Sequence, residues 1–413
     1  MAEVICYIGN DSPWVRYTVR HVLQRMLGWE VEIITERGSA LSAGIPVIVY
    51  DTLPIEGCFH IKPNTAEEPL HEERPQDIFF AVGELLSLAD EHGTGQRDPH
   101  GRISAPKTRN AQREWLDRPV ADEWVLAFAQ DLHAQLPGLP PVRRRNRHFA
   151  TMDVDNGFMF KGRPLWRTLG ASVRDILRAD LTKLVDRWRT LAGRRPDPYD
   201  VYDDLRRITD GNTDRVILNF LVSPRGEFDH AVGLSNPLMR QRVQDVSTWA
   251  EVGLHPSYHS SDSIELFAQE HAALQRVVDH TVTISRQHFL RMKLPSTFNE
   301  LERIGIREDH SIGLADSIGF RAGTCTPFPY FDPVLGRETN LMLHPFALMD
   351  SAMCYKMHST PEAAITASKR MVDAVKRVNG TFIGVWHERF LSDYGAEKGW
   401  RRVVEETIRY ARP

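Results

Sequence analysis

Two short stretches carry residues that can do acid–base or metal chemistry. TMDVDN, residues 151–156, sets Asp153 and Asp155 two apart, and an extended chain projects both carboxylates to one side. Two like charges so close are costly unless a cation or an arginine separates their roles. A divalent metal lets one carboxylate ligate while the other stays a free base. HPSYHSS, residues 255–261, sets His255 and His259 four apart, a spacing that shares a face if the chain turns helically. Two histidines plus one carboxylate leave positions on zinc or a related divalent ion open for water and substrate. Either motif alone is common in turns and loops, so the expectation rests on their joint occurrence at two strand ends.

A scaffold must bring those ends together. From about residue 148 the pattern alternates apolar strands with helices. Strand candidates lie at 215–223, 250–256, 280–290, 319–325, 339–346 and 381–387, with helices such as SIELFAQEHAALQRVVD between some of them. Repeated βα units imply a parallel sheet, and this many favour closure into a barrel with its functional groups at the C-terminal edge. Residues 1–147 form a smaller α/β unit: strands at VICYIG, VEIIT and PVIVYD, helices over 14–27, 76–91 and 120–136, and a loop over 92–110. LPGLPPVRRRNR, 136–147, has the Pro, Gly and charge signature of a linker, which divides the chain into domains 1–147 and 148–413. An insertion over roughly 157–213 has helical apolar spacing and many Lys and Arg residues. It reads as a solvated helix face or as a basic lid for a phosphorylated or lipid-linked substrate.

Size and composition set outer bounds. The 413 residues are 42% hydrophobic and 26% charged with net charge -4, an ordinary globular balance with no global pull toward nucleic acid or anionic membrane. Cys6, Cys58, Cys325 and Cys354 show no C-x-x-C spacing, so neither a zinc ribbon nor a disulfide framework is expected, and a reducing cytoplasm is the simplest setting. The N-terminal stretch lacks the pattern of a signal peptide, and no apolar run approaches the length of a membrane span.

On TMDVDN and HPSYHS, the chain from about 148 onward resembles the polysaccharide deacetylases of the NodB homology type, carbohydrate esterases with a distorted (β/α) barrel. The resemblance implies Asp153 as catalytic base, Asp155, His255 and His259 as metal ligands, and zinc, cobalt or nickel as the ion. It places the family's arginine, which keeps the base ionised, at Arg286 in SRQHFLRM, without the usual proline and with Arg321 of GFRAGT as a competitor. It implies His387 of VWHERFLSD as general acid. Tyr258, Arg321, Asp309, His344 and Asp350 are candidates for binding substrate or tuning the histidine. The first 147 residues resemble an accessory domain of unknown role found in a subset of these proteins.

The implied activity is hydrolysis of an N- or O-acetyl group on a sugar of a surface polysaccharide or its lipid- or nucleotide-linked precursor. A backbone N–H near Tyr258 or Tyr330 would help hold the oxyanion. Expected partners are the acetylated sugar and, through the basic 157–213 insertion, the inner face of a membrane, with no nucleic acid. Two rivals stand: a metal-dependent hydrolase of small amides, and a catalytically silent glycan-binding scaffold.

Overall fold

The computed structural model describes residues 2–41, 44–64, 74–92, 97–223 and 226–413. Residues 93–96 of the loop expected over 92–110 lie outside them. The first sheet is parallel, ordered β2-β1-β3-β4, from β1 (Val4–Ile8), β2 (Val31–Ile34), β3 (Val47–Tyr50) and β4 (Phe59–Ile61). Its central strands β1 and β3 are buried throughout, which is why they read as short apolar runs. Helix α1 (Pro13–Arg20) begins where Ser12 Oγ accepts the Val15 N–H at 3.2 Å and Pro13 fills the first turn. Asp77 caps α2 (Ile78–Ser87) through the Phe80 N–H at 2.9 Å, and α3 (Val120–Gln135) precedes the irregular Pro-rich stretch that leads to the second sheet.

The second sheet comprises β5 (Arg147–Val154), β6 (Arg215–Leu221), β7 (Glu251–His255), β8 (Ile284–Ser285), β9 (Glu308–Asp309), β10 (Phe328–Asp332), β11 (Arg337–Leu343), β12 (Leu348–Met349) and β13 (Thr381–His387). Its order is β10-β11-β9-β8-β7-β6-β5-β13-β12, parallel except for the β10–β11 hairpin. The parallel α/β sheet is as expected. Closure into a barrel is not: no strand pair among the described residues joins the two ends of the sheet. The chain between β11 and β12 explains the gap. The N–H groups of His344, Phe346 and Ala347 bond to Asp309, Ile312 and Ile383 in turn, and Pro345 has none to give. The segment leaves the β9 ladder at His344 and joins the β13 ladder at Ala347, with no strand between them to link the two.

Two strand expectations shrink. The strand sought over 280–290 is the two-residue β8, and beyond it Phe289 and Leu290 adopt left-handed φ of 59° and 54° and turn the chain sharply. GFRAGTC over 319–325 is irregular, with Gly319 and Gly323 at φ of 137° and 64°.

The insertion folds as α4 (Leu165–Leu177), α5 (Leu181–Leu191) and a shorter helix, Tyr202–Thr209. The first 147 residues pack on the larger sheet through α1: Tyr17 donates to the Pro329 carbonyl at 2.9 Å, and Trp14 meets Phe331 edge to face. On the sheet's other face, Phe149, Ile383, Val385, Phe346 and Met349 form a separate apolar cluster, beside which the polar groups of the site converge.

Candidate metal centre

β5, β7 and the turn after β8 end near one another on the C-terminal edge of the larger sheet, and each delivers one ligand atom. Asp155 follows β5, His255 closes β7 and His288 follows β8; their ligand atoms lie within 4.8 Å of one another. His255 Nε2 is 3.5 Å and His288 Nε2 is 3.7 Å from the same oxygen, Asp155 Oδ1.

The outer contacts orient all three. His255 Nδ1 donates to the Arg286 carbonyl at 2.6 Å, and His288 Nδ1 donates to Asp229 Oδ1 at 2.9 Å, so both Nε2 atoms face the cluster bare. Asp155 Oδ2 accepts from Arg389 Nη1 at 2.8 Å, whereas Oδ1 is buried with no hydrogen-bond partner. A buried, unpartnered carboxylate oxygen facing two bare imidazole nitrogens fits a divalent cation of the zinc class. Burial pushes the Asp155 carboxyl up, but His387, His255, Arg389 and His288 outweigh it and hold it well below the usual carboxylate range. The backbone N–H groups of Asp155 and Asn156 both donate to the buried Glu388 carboxylate, at 3.2 and 2.6 Å, which fixes the turn that presents Asp155.

Asp153 sits on the same face of β5. Arg286 Nη1 at 2.8 Å and Asn219 Nδ2 at 3.0 Å both donate to its Oδ1, so Oδ2 is the oxygen left to take a proton. Burial raises its pKa, yet Arg286, His255 and His387 together keep it below the ordinary value. The Arg286 guanidinium is itself fully buried and spreads its remaining donors over the His310 carbonyl and Thr151 Oγ1. Gly253 leaves the space this network needs, since a Cβ there would fall 2.2 Å from Asn219 Oδ1.

His387 closes β13 and lies 3.9 Å through Nε2 from Asp155 Oδ2. Its Nδ1 donates to Asp350 Oδ1 at 2.6 Å, and its backbone N–H donates to Asp350 Oδ2 at 2.7 Å. Burial disfavours the charged ring, but Asp350 and then Asp155 overcome that cost and the opposing Arg389, pushing the pKa up to about 9. An ionised base and a protonated acid thus flank the candidate ligands.

The remaining sequence-derived residues divide. Asp350 is brought to the site as the partner of His387. His259 is not: it is exposed on the 3-10 helix Tyr258–Asp262, and His288 supplies the third ligand atom instead. His255 closes the extended strand and His259 lies on the separate 3-10 helix beyond Pro256, so no single helical turn puts the two on one face. The Tyr258 N–H is taken by Asp229 at 3.0 Å and is not free to hold an oxyanion. Tyr330 lies in β10, packed on Phe298. Arg321 forms a buried ion pair with Glu91 and donates to the Gly313 carbonyl, which ties the first part of the chain to the second. Asp309 is buried away from the cleft and accepts from Ser285 Oγ and the Ser311 N–H. His344 joins a second cluster with Glu308 and His310, where the two imidazoles stack 4.4 Å apart and Arg215 already pairs with Glu308.

Sequence reasoning missed His288, Asp229, Arg389 and Glu388. His288 and Arg389 lie inside stretches singled out for Arg286 and His387, so the missing signal was geometry rather than residue type. It also missed His100, which reaches the cleft from the first part of the chain. Its ring packs against Phe289, Phe228 and Tyr258 at centroid distances of 4.9 to 5.7 Å, and its Nδ1 lies 3.0 Å from Tyr258 Oη. The cleft has a volume of about 350 Å³ and is walled by His100, Arg102, Phe228, His288, His387 and Arg389 among others.

No family model matches the chain, and no curated protein matches it in sequence. Among solved structures, a presumed polysaccharide deacetylase from Mycobacterium smegmatis is similar over 64% of this chain and 83% of its own, with 12% identity and a TM-score of 0.40.

Proposed function

We propose that the chain is a metal-dependent hydrolase that removes an acetyl group from a sugar of a surface polysaccharide or of its lipid- or nucleotide-linked precursor. The observation that carries this reading is the ligand set of Asp155 Oδ1, His255 Nε2 and His288 Nε2, flanked by Asp153 and His387. A bound divalent ion would supply Lewis acidity and a water of lowered pKa. Asp153 Oδ2 takes the proton of the attacking water, and Arg286 and Asn219 hold Oδ1 so that the carboxylate does not turn away. His387 Nε2 gives a proton to the departing amine, which is too basic to leave as an anion. The rings of His100, Phe228 and Phe289 offer the apolar wall a sugar ring would pack on.

The test is acetate release from N- and O-acetylated sugars, measured against ammonia release from small amides, by protein loaded with zinc, cobalt or nickel. Acetate release that a chelator abolishes is expected. One bound equivalent of metal with no turnover of any acetylated sugar would sink the reading and favour a glycan-binding scaffold.

Two outer contacts make further predictions. Asp229→Ala leaves His288 unoriented and is expected to weaken metal affinity about 10- to 100-fold without unfolding the chain, as read by competition with a chelating dye. In metal-free protein, His387 is expected to titrate at about 9 by histidine NMR, and Asp350→Asn, which removes the leading cause of the rise, brings it down. Because the folded pKa is raised, this group's stabilisation is complete below its unfolded value of about 6.5 and is lost as pH climbs through about 9. A melting temperature that the Asp350→Asn change lowers equally at both ends of that window would contradict the coupling.

A further inference from the structure

Helices α4 and α5 present their faces in reverse. The residues they bury are polar: Thr168, Ser172 and Asp175 on α4, and Asp186, Arg187 and Thr190 on α5. The apolar stripe of each helix faces outward. Trp166 is 68% exposed, Leu177 82% and Leu181 61%, with Leu169, Val173 and Trp188 also open. Single exposed apolar side chains are ordinary, but a contiguous stripe on two adjoining helices marks a surface that is covered in use.

Charge identifies the cover. Residues 161–195 hold ten Lys and Arg against three Asp, in a chain of net charge -4. Two of those aspartates, Asp175 and Asp186, are buried, while Arg174, Arg178, Arg189 and Arg194 are exposed. A second copy of the chain seated on this face by two-fold symmetry would set like charges against each other. An anionic bilayer meets both features at once, with acyl chains for the tryptophans and leucines and lipid phosphates for the arginines. No helix among the described residues is long and apolar enough to cross a membrane, so the contact is one of lying on the surface.

The patch also adjoins the site. Asn156 and His230 line both the catalytic cleft and the neighbouring groove walled by Trp166, Arg167 and Arg174. We propose that α4 and α5 form a membrane-docking surface for anionic lipid and that it brings the cleft to a lipid-linked acetylated sugar, the second clause resting on the function proposed above.

Sedimentation of the full chain with vesicles tests it, using phosphatidylcholine alone and phosphatidylcholine mixed with phosphatidylglycerol. Binding to the mixed vesicles is expected to be at least about tenfold tighter. The Trp166→Ser/Leu177→Ser/Trp188→Ser variant, altered only at exposed positions, should lose at least about tenfold in partitioning while keeping its melting temperature. The Arg174→Glu/Arg178→Glu variant should lose a similar factor at low salt and less at high salt. Wild-type protein that stays in solution with mixed vesicles at low salt overturns the proposal, as does a triple variant that binds like wild type. A dimer by light scattering that the triple variant breaks, without vesicle binding, assigns the face to a second copy and overturns it too. Metal content and acetate release from a soluble sugar separate the two claims. Vesicle binding without turnover keeps the surface and removes the lipid-linked sugar.

Discussion

Asp153→Asn is expected to cut acetate release by about a hundred- to ten-thousandfold, the range a positioned general base contributes, while metal content stays at the wild-type level. Asparagine keeps the shape and can still lie beside Asn219 and Arg286, but it cannot take the water's proton at Oδ2. The same change leaves the fully buried Arg286 guanidinium without its anion. Breaking one side of a buried pair costs about 3–5 kcal/mol, so a lower melting temperature accompanies the loss of turnover. The two effects can be told apart, because unfolding would release the metal and loss of the base does not. The pH dependence has a definite sign. Asp153 has a pKa depressed by Arg286, His255 and His387 against the effect of burial, so its stabilisation is present above the ordinary carboxylate value and is lost as pH falls through the lowered one. The acid limb of the rate profile that reports this base should therefore lie below the ordinary carboxylate value. Near-normal turnover by Asp153→Asn would remove it as the base and would shift the search to another carboxylate of the cleft.

How far the site could be read in advance depends on which residues rely on local spacing. β5 runs through Asp153 and ends at Val154, so strand periodicity places Asp153, whereas Asp155 lies in the turn just past the strand, which the Glu388 carboxylate fixes. His387 likewise closes a seven-residue strand, and Arg286 follows the backbone directly from β8. His288 depends on something spacing does not express. The chain turns sharply a few residues past β8, through left-handed Phe289 and Leu290, and Asp229, 59 positions earlier, receives the imidazole. The same carboxylate takes the Tyr258 N–H, so one long-range contact sets both the position of His288 and the 3-10 turn that leaves His259 outside. Sheet closure failed for a related reason. The chain between β11 and β12 bonds first to the 309–312 segment and then to β13, a tertiary arrangement with no periodic signature.

Replacing His288 by Ala should abolish metal binding and turnover together, and replacing His259 by Ala should change neither. The contrast is sharp because H-x-x-x-H spacing alone points to the opposite result. With His288 removed, His255 Nε2 and Asp155 Oδ1 remain, too few for a site that holds metal through three protein groups. Loss of the ligand also strands Asp229, which keeps only the Tyr258 N–H. In metal-free protein the Asp153 and Asp155 carboxylates raise the His255 pKa despite its burial, so a proton competes for His255 Nε2. Metal affinity is therefore expected to rise with pH across the neutral range, with proton release on binding that calorimetry in buffers of different ionisation enthalpy would count. Elemental analysis of wild type, His255→Ala, His288→Ala and His259→Ala after identical dialysis decides the ligand set. One equivalent retained by wild type and His259→Ala and lost by the other two supports Asp155, His255 and His288. Retention by His288→Ala with loss in His259→Ala would require the 255–262 turn to rearrange on binding and would restore the H-x-x-x-H pair.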